Sequence, residues 1–335
     1  MKKYLCGFII YFLVWNIEAQ KSDFNHIDFN KADKIAMQYK GESIKNLPLL
    51  AHRLTHQLHT DVEKFRAIYF WVCHNIKSDY YTTNKVLKKS KKLRTNRSEF
   101  VNWSVNNQAD FLKRLVNKKE TICTGYSILV KELCKLASIE SKVIGGYYKG
   151  AHFDAEKPFP NHSWNAVLLN NKWYLCDPTL ASGYYYVNED EFIFDYNDGY
   201  FLTEPVLFIA NHYPENKKWV LLPNEDVSFK NFLERPYVYN KTFEHNITPI
   251  FPKKLEQTTS THQNLDFKLS IAKDKIKDLK IITNNGWKNT IIIPKEYSYK
   301  EGTIEFKHNF IKKGLYDVHI KIADDIVTTY TFEVL

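Results

Sequence analysis

Apolar side chains recur every three or four residues over 29–76, a spacing that predicts helix. Ala51 to Leu58 carries one stretch of this pattern, and Phe65, Ile68, Tyr69, Trp71, Val72 and Ile76 carry the next. Between them, Thr60-Asp61-Val62-Glu63 has the form of a capping box, so Thr60 is expected to start the second stretch. Residues 80–110 are polar and basic and read as an excursion, with a short helix at Ala109 to Val116. Cys123-Thr-Gly-Tyr-Ser then opens another strong helix, whose Ile128, Leu129, Leu133, Leu136 and Ala137 form its expected buried face. Ser141 to Tyr148 is strand-like, with Gly145-Gly146 marking a bulge or a close backbone approach. Asn161–Leu169 and Lys172–Asp177 read as a hairpin around the two-residue turn Asn170-Asn171. Residues 184–222 are aromatic and lack a regular period.

The texture changes near residue 262. Tyr316, Val318, Ile320 and Ile322 alternate with polar residues, as do Tyr330, Phe332 and Val334, and Asn284-Asn285-Gly286 and Asp324-Asp325 are turn signals. Five or six short strands are expected there, packed as a small β-sandwich. The domain plan is a signal segment at 1–19, a main domain at 20–251 with a helical N-terminal region, a Thr-rich linker at 252–264 and the sandwich at 265–335. Repeats are absent from the sequence. The 335 residues, 44% hydrophobic and 25% charged, suit about two folded domains and exclude a disordered or collagenous chain.

Met1-Lys2-Lys3 followed by uncharged Tyr4 to Trp15 and then Ala19 has the layout of a secretory signal. Cleavage is expected after Ala19, placing the protein in the periplasm or outside the cell. A membrane anchor fits less well, since the run is shorter than the roughly 20 residues that span a bilayer. The formal net charge is +9, and Lys85, Lys88, Lys89, Lys91, Lys92, Arg94 and Arg97 crowd one stretch. The ordinary reading of that stretch is a solvated loop; the alternative is a docking patch for an anionic envelope surface. No nucleic-acid motif accompanies it.

Cys6 leaves with the signal, so Cys73, Cys123, Cys134 and Cys176 remain. Four cysteines in so long a chain are no disulfide scaffold, and the absence of C-x-x-C argues against a cysteine zinc site. Cys123 and Cys134 lie about 16 Å apart along one helix and cannot pair within it.

Cys123, His162 and Asp177 form the candidate chemical constellation. A nucleophilic cysteine needs its thiolate, and a helix N-terminus and a nearby histidine both favour that form. His162 would hold the thiolate and later protonate a leaving group, while Asp177 would orient the imidazole. The hairpin tests this. A two-residue turn pairs Trp164 with Asp177 and leaves His162 and Asp177 as diagonal neighbours on one face, within reach of a side-chain hydrogen bond. A three-residue turn would separate them. Each residue alone has a plain alternative: a packed thiol, a satisfied strand histidine, a turn aspartate.

Cys123-Thr-Gly-Tyr-Ser, His162-Ser-Trp-Asn-Ala-Val and Lys172-Trp-Tyr-Leu-Cys-Asp177-Pro-Thr resemble the transglutaminase-like superfamily, and more narrowly the bacterial relatives of kyphoscoliosis peptidase. Phe65-Arg-Ala-Ile-Tyr-Phe-Trp-Val-Cys-His-Asn-Ile76 and Asn211-His-Tyr-Pro-Glu-Asn-Lys-Lys-Trp-Val-Leu-Leu222 are similar to that group as well. The resemblance covers roughly residues 45–235. It implies an α+β fold with a papain-like core, in which the cysteine helix packs on an antiparallel sheet. It also implies the roles of nucleophile for Cys123, base and acid for His162 and orienter for Asp177. The sequence departs from the family where Ser78-Asp79 replaces a common Tyr-Asp, and in its basic stretch at 85–97. The backbone N–H of Cys123 is the expected oxyanion donor, with Trp103 and Gln108 as weaker side-chain candidates.

The resulting expectation is an exported thiol enzyme of acyl transfer, acting on a protein or peptide as a peptidase or amidase without cofactor or metal. A crosslinking transglutaminase uses the same triad, and a non-catalytic binding scaffold on the same fold is the reading from another class. His52, His56 and His59 have zinc-compatible spacing but no H-E-x-x-H context and read as a polar helix face. Asp195, Asn197 and Asp198 lack the closing glutamate of a calcium loop and read as a turn.

Overall fold

The computed structural model describes residues 21–150, 153–222, 227–294 and 296–335. The expected signal segment and its cleavage point lie outside the described residues.

Three helices open the chain: α1 (Asn30–Gln38), α2 (Leu47–Thr55) and α3 (Asp61–Asn75). The capping box starts α3 as expected: Glu63 N–H donates to the Thr60 hydroxyl at 3.3 Å, and Thr60 N–H donates to the Glu63 carboxylate at 3.0 Å. Helix α3 is buried along most of its length, with Phe65, Ile68, Tyr69, Trp71 and Val72 in the main core.

The stretch read as an excursion is helical. After a two-residue strand β1 (Lys77–Ser78), α4 (Tyr80–Lys92) and α5 (Arg97–Lys118) run before β2 (Glu120–Thr121). Asp79 caps α4 by accepting from Thr82 N–H at 3.0 Å, and Asn96 caps α5 by accepting from Glu99 N–H at 3.2 Å. The parallel pairing of β1 with β2 holds the two ends of the excursion together. Arg114 strengthens this root by pairing with the buried Asp79 and with Glu120. The pattern misled because Leu115 is the one buried residue of α5: Phe100, Val101 and Val105 face a cleft rather than a core, and Leu112 and Val116 are exposed, so the run reads as polar.

Helix α6 (Cys123–Leu136) packs against β3 (Ser141–Tyr148) and β4 (His162–Leu169). Its buried side is Tyr126, Leu129, Val130, Leu133 and Cys134, whereas Leu136, expected inside, is exposed. Strand β5 (Lys172–Cys176) completes the hairpin. Asn170 and Asn171 take φ of 48° and 63°, the left-handed pair that a two-residue hairpin turn needs. The register Leu169↔Lys172 through Asn165↔Cys176 follows from that turn. After α7 (Pro178–Ser182), β6 (Gly183–Tyr186) pairs with β7 (Glu191–Phe194). Helix α8 (Pro205–Phe208) leads to β8 (His212–Pro214), which joins the free edge of β3. The four-stranded antiparallel sheet thus has the order β5-β4-β3-β8.

Helix α9 (Phe229–Glu234), β9 (Tyr237–Val238), α10 (Asn240–Glu244) and β10 (Thr248–Phe251) follow. Within 252–264, expected from composition to be linker, β11 (Glu256–Thr259) pairs in parallel with the last strand of the chain. Beyond it come β12 (Leu265–Ser270), β13 (Lys280–Asn284), β14 (Asn289–Ile292), β15 (Tyr297–Lys300), β16 (Thr303–His308), β17 (Gly314–Ile322) and β18 (Asp325–Val334). These seven strands exceed the five or six expected, because β14 and β15 are short and largely exposed and carry little alternation. One sheet has the order β10-β12-β16-β15 and the other β11-β18-β17-β13-β14, with β9 also on β18. Phe267 and Phe306 of the first share a buried cluster with Val318, Ile320, Tyr330 and Phe332 of the second. Contacts also run back to the N-terminal part: the Thr242 hydroxyl donates to Val327 O, and His245 lies 2.8 Å from Asp325.

Candidate functional site

Cys123 is the first residue of α6, and the capping residue Ile122 makes no side-chain bond to the helix end. The first amides of a helix have no intrahelical acceptor and carry its positive dipole end, so the thiol sits where an anion is favoured. His162 starts β4, and Asp177 directly follows β5. Strand pairing, the Asn170-Asn171 turn and helix packing bring all three sequence candidates together.

Asp177 Oδ2 accepts from His162 Nε2 at 2.6 Å. Its other oxygen, Oδ1, caps α7 by accepting from Thr179 N–H at 2.8 Å and Leu180 N–H at 3.1 Å. Tyr69 from α3 donates to the Asp177 backbone carbonyl at 2.9 Å. The carboxylate is therefore fixed at both oxygens and at its backbone. With Nε2 engaged, Nδ1 is the His162 nitrogen left for the hydrogen bond with Cys123.

The electrostatics follow from this geometry. Burial pushes the Asp177 carboxyl up, but the charge of His162 and the hydrogen bonds from His162 and His212 hold it well below the carboxylate range. Burial alone would lower His162; the Asp177 charge and hydrogen bond, with Cys123, raise it well above an ordinary imidazole. Burial raises the Cys123 thiol, yet His162 and the backbone N–H of Ser163 outweigh it and lower the thiol overall. Cys73 and Cys134 go the other way, pushed up by burial. All four described cysteines are free thiols. Such an arrangement can hold a thiolate beside an imidazolium.

His212 is the residue that sequence reasoning missed. It is fully buried, and its Nε2 lies 3.1 Å from the same Asp177 oxygen. Phe208 stacks on its ring at 4.0 Å and Trp164 meets it edge-on at 5.1 Å. Burial pushes His212 down to about 4, so the ring is neutral. A neutral imidazole has one N–H. The His212 Nε2 faces the Asp177 carboxylate and its Nδ1 lies 2.6 Å from the Asn211 carboxamide oxygen; with that amide turned end for end its NH2 donates to Nδ1, and the single ring N–H at Nε2 serves Asp177. The signal was present in Asn211-His-Tyr-Pro, which shares the family resemblance without announcing a role.

Among the described residues, His162, Asp177 and His212 form a group whose ligand atoms lie within 4.8 Å of one another, close enough to hold an ion. The two nitrogens already stand at hydrogen-bond distance from one carboxylate oxygen, so the group fits a hydrogen-bond relay without a metal. Other candidates separate. The His52 and His56 rings stack at 4.6 Å on an exposed helix face. Asp198 pairs with Arg66 and Lys21, and Asn197 caps a short 3-10 turn, so this loop is tied by ion pairs. Trp103 and Gln108 do not reach the site. Trp103 packs beneath Lys85 and Lys89 at about 6 Å, Gln108 is exposed, and other α5 residues face the cleft.

That cleft, about 270 Å³ in volume, opens on Cys123 and His162 between the α4–α5 pair and the strands bearing Gly145 and Ser163. Larger hollows of about 650 and 570 Å³ lie elsewhere, against β14–β16 and beside Arg235, away from the thiol. No described helix is long and apolar enough to cross a membrane.

Residues 49–178 match the transglutaminase-like superfamily. Kyphoscoliosis peptidase of Homo sapiens is 34% identical over 219 residues, 64% of this chain and 30% of that protein. The Mus musculus kyphoscoliosis peptidase is 33% identical over the same shares, and Hillarin of Drosophila melanogaster is 26% identical over 66% of this chain and 26% of its own length. The chain thus spans less than a third of the length of these relatives. It carries a transglutaminase-like domain.

Proposed function

We propose that this transglutaminase-like domain is a cysteine-dependent acyl-transfer enzyme that hydrolyses peptide or amide bonds, with a papain-like arrangement of helix and sheet. Cys123 is the nucleophile, His162 the base and acid, and Asp177 the orienting carboxylate. The observation that carries this reading is the 2.6 Å contact of His162 with Asp177, which leaves the other ring nitrogen for the Cys123 thiol at a helix N-terminus.

The Cys123 thiolate attacks a substrate carbonyl carbon, forming the C–S bond. The backbone N–H of Cys123 stabilises the oxyanion. The C–N bond breaks as His162 delivers its proton to the departing nitrogen, leaving a thioester. Neutral His162 then takes a proton from water, the hydroxide oxygen bonds to the carbonyl carbon, and the C–S bond breaks to restore thiolate and imidazolium. A lysine amine replacing water would give an isopeptide crosslink by the same steps.

We also read residues 1–19 as a signal for export and the strand-rich tail as a β-sandwich that presents the enzyme to its target. The lysines of α4 are candidates for contact with an anionic surface.

The test is alkylation by iodoacetamide across pH 5–9, read by mass spectrometry for each cysteine. Cys123 is expected to react at pH 6 far faster than Cys73 or Cys134, and to lose that advantage in His162→Ala. Equal, slow labelling of all cysteines would sink the enzyme reading and favour a binding scaffold. Incubation with a peptide alone and with an added amine then separates hydrolysis from crosslinking by product mass.

A further inference from the structure

We infer that the α4–α5 pair makes the substrate-binding wall of this site, and that the cleft selects a peptide with a large apolar side chain beside the attacked carbonyl. The inference rests on the proposed role of Cys123. Any substrate whose carbonyl carbon bonds to this sulfur must lay its neighbouring group in the cleft that opens on it, so the walls decide which group fits.

Those walls are mainly apolar, with the hydroxyls of Thr83, Ser90 and Ser104 set among the apolar side chains. Helix α4 contributes Val86 and Leu87, α5 contributes Phe100, Val101 and Val105, and Ile122 adjoins the thiol. On each helix the cleft-facing residues recur at three- and four-residue spacing, so one face of each is committed to the cleft. Of the basic run, Arg97 alone lines the cleft, while Lys85 and Lys89 lie against Trp103. Val101 and Val105 are 45% and 60% exposed, although both are β-branched and apolar in a helix that otherwise buries only Leu115. Apolar side chains left in water next to a reactive thiol await an apolar partner.

Several polar groups in the cleft are engaged with one another: the Thr124 and Ser163 hydroxyls lie 3.2 Å apart. Asn161 donates to Tyr148 O at 3.0 Å and accepts from Tyr148 N–H at 2.7 Å. Arg97 and Glu215, which both line the cleft, pair at 3.4 Å and balance each other's charge. Gly145 gives the floor no side chain of its own, and a Cβ there would come 3.1 Å from Glu215. A glutamine or charged side chain entering this space would exchange water for a mainly apolar lining. The volume of about 270 Å³ accommodates a leucine or phenylalanine side chain.

The experiment uses the full chain and a series of acetyl-aminoacyl chloromethyl ketones differing only in the side chain: Leu, Phe, Gln, Asp or Gly. The thiolate displaces chloride, forming the C–S bond as the C–Cl bond breaks, and mass spectrometry reads the labelled position. The Leu and Phe reagents are expected to label Cys123 at least tenfold faster than the Gln, Asp and Gly reagents. The Leu-to-Gly rate ratio should fall towards one in Val105→Asp and Leu87→Asp and persist in Val105→Leu. Val105 is exposed, so its variants test the cleft even should Leu87→Asp fail to fold. A Leu reagent no faster than Gly, or a Gln reagent fastest, overturns the inference if Cys123 still outpaces the buried thiols with iodoacetamide. Loss of that iodoacetamide advantage instead overturns the proposed role of Cys123 itself, and the subsite with it.

Discussion

His212 and His162 converge on a single oxygen: Asp177 Oδ2 lies 3.1 Å from Nε2 of the first and 2.6 Å from Nε2 of the second. The two rings come from different strands, and their centroids are 5.7 Å apart. A buried carboxylate held by two ring donors and two backbone amides has one orientation. In the proposed mechanism His212, which meets Asp177, is a positioning residue.

Replacing His212 with phenylalanine keeps an aromatic ring among Phe208, Trp164 and Tyr200 but removes the donor. A hydrogen bond to a charged group contributes about 1.5–3 kcal/mol, so a loss of stability of that order is expected. Cys123 alkylation at pH 6 should slow by about tenfold. Denaturant unfolding and alkylation rates check the pair of effects; a variant that matches the parent in both would refute the role.

Asp177→Asn keeps Oδ1 for the α7 cap and removes the charge. The folded Asp177 is depressed, so its stabilisation is complete above the unfolded value of about 3.9 and fades as pH falls through the folded one. The folded His162 is raised, so its stabilisation is complete below about 6.5 and fades as pH rises through the folded value. Both contributions are whole only between roughly pH 4 and 6.5. The stability gap between parent and variant is expected to peak there, at up to about 3 kcal/mol, and to shrink on both sides. Urea unfolding across pH 3–9 measures it; a gap that grows steadily with pH would contradict the assignment.

Gly125 lets α6 come close to β2. A Cβ at this position would stand 1.8 Å from Thr121 Oγ1 and 2.9 Å from Thr121 Cβ. Gly125→Ala is expected to destabilise by about 1–3 kcal/mol, although alanine is the better helix former. Adding Thr121→Gly should recover part of the loss. A double-mutant cycle on melting temperature is the check, and additivity of the two changes would show that the contact does not matter.

Arg66 is buried among Phe201, Phe70 and Phe29, with Asp33 accepting at 2.6 and 2.9 Å and Asp198 on its remaining nitrogen. Burial works against its charge, but the two carboxylates keep the guanidinium protonated well above its ordinary range. Arg66→Ala strands Asp33, whereas Asp198 keeps Lys21 and Tyr196 and is partly exposed, which limits the cost to about 2–4 kcal/mol. Arg66→Lys should restore only part, because lysine lacks the two-pronged geometry. Calorimetry of both variants decides, and equal melting of parent and lysine variant would dismiss the bidentate argument.

Local chemistry explains what the sequence by itself determined. Thr60 and Glu63 sit three residues apart and cap α3 without outside help. Asn170-Asn171 is a turn whose left-handed backbone sets the hairpin register, and that register alone puts His162 and Asp177 on one face. The position of Cys123 at a helix start is equally local. Tertiary structure decided the rest. His212 comes to Asp177 from 35 residues away by way of the β8–β3 pairing, a contact that no spacing encodes. Helices α4 and α5 read as a polar excursion because amphipathic periodicity reports burial in a core, and their apolar faces border a cleft instead. Trp103 and Gln108 looked plausible beside the thiol for the same reason: without the rotation of α5, nothing tells which side of a helix meets the site. Short-range hydrogen bonds and turn strain are written in neighbouring residues, whereas the closure of distant segments depends on how whole elements pack.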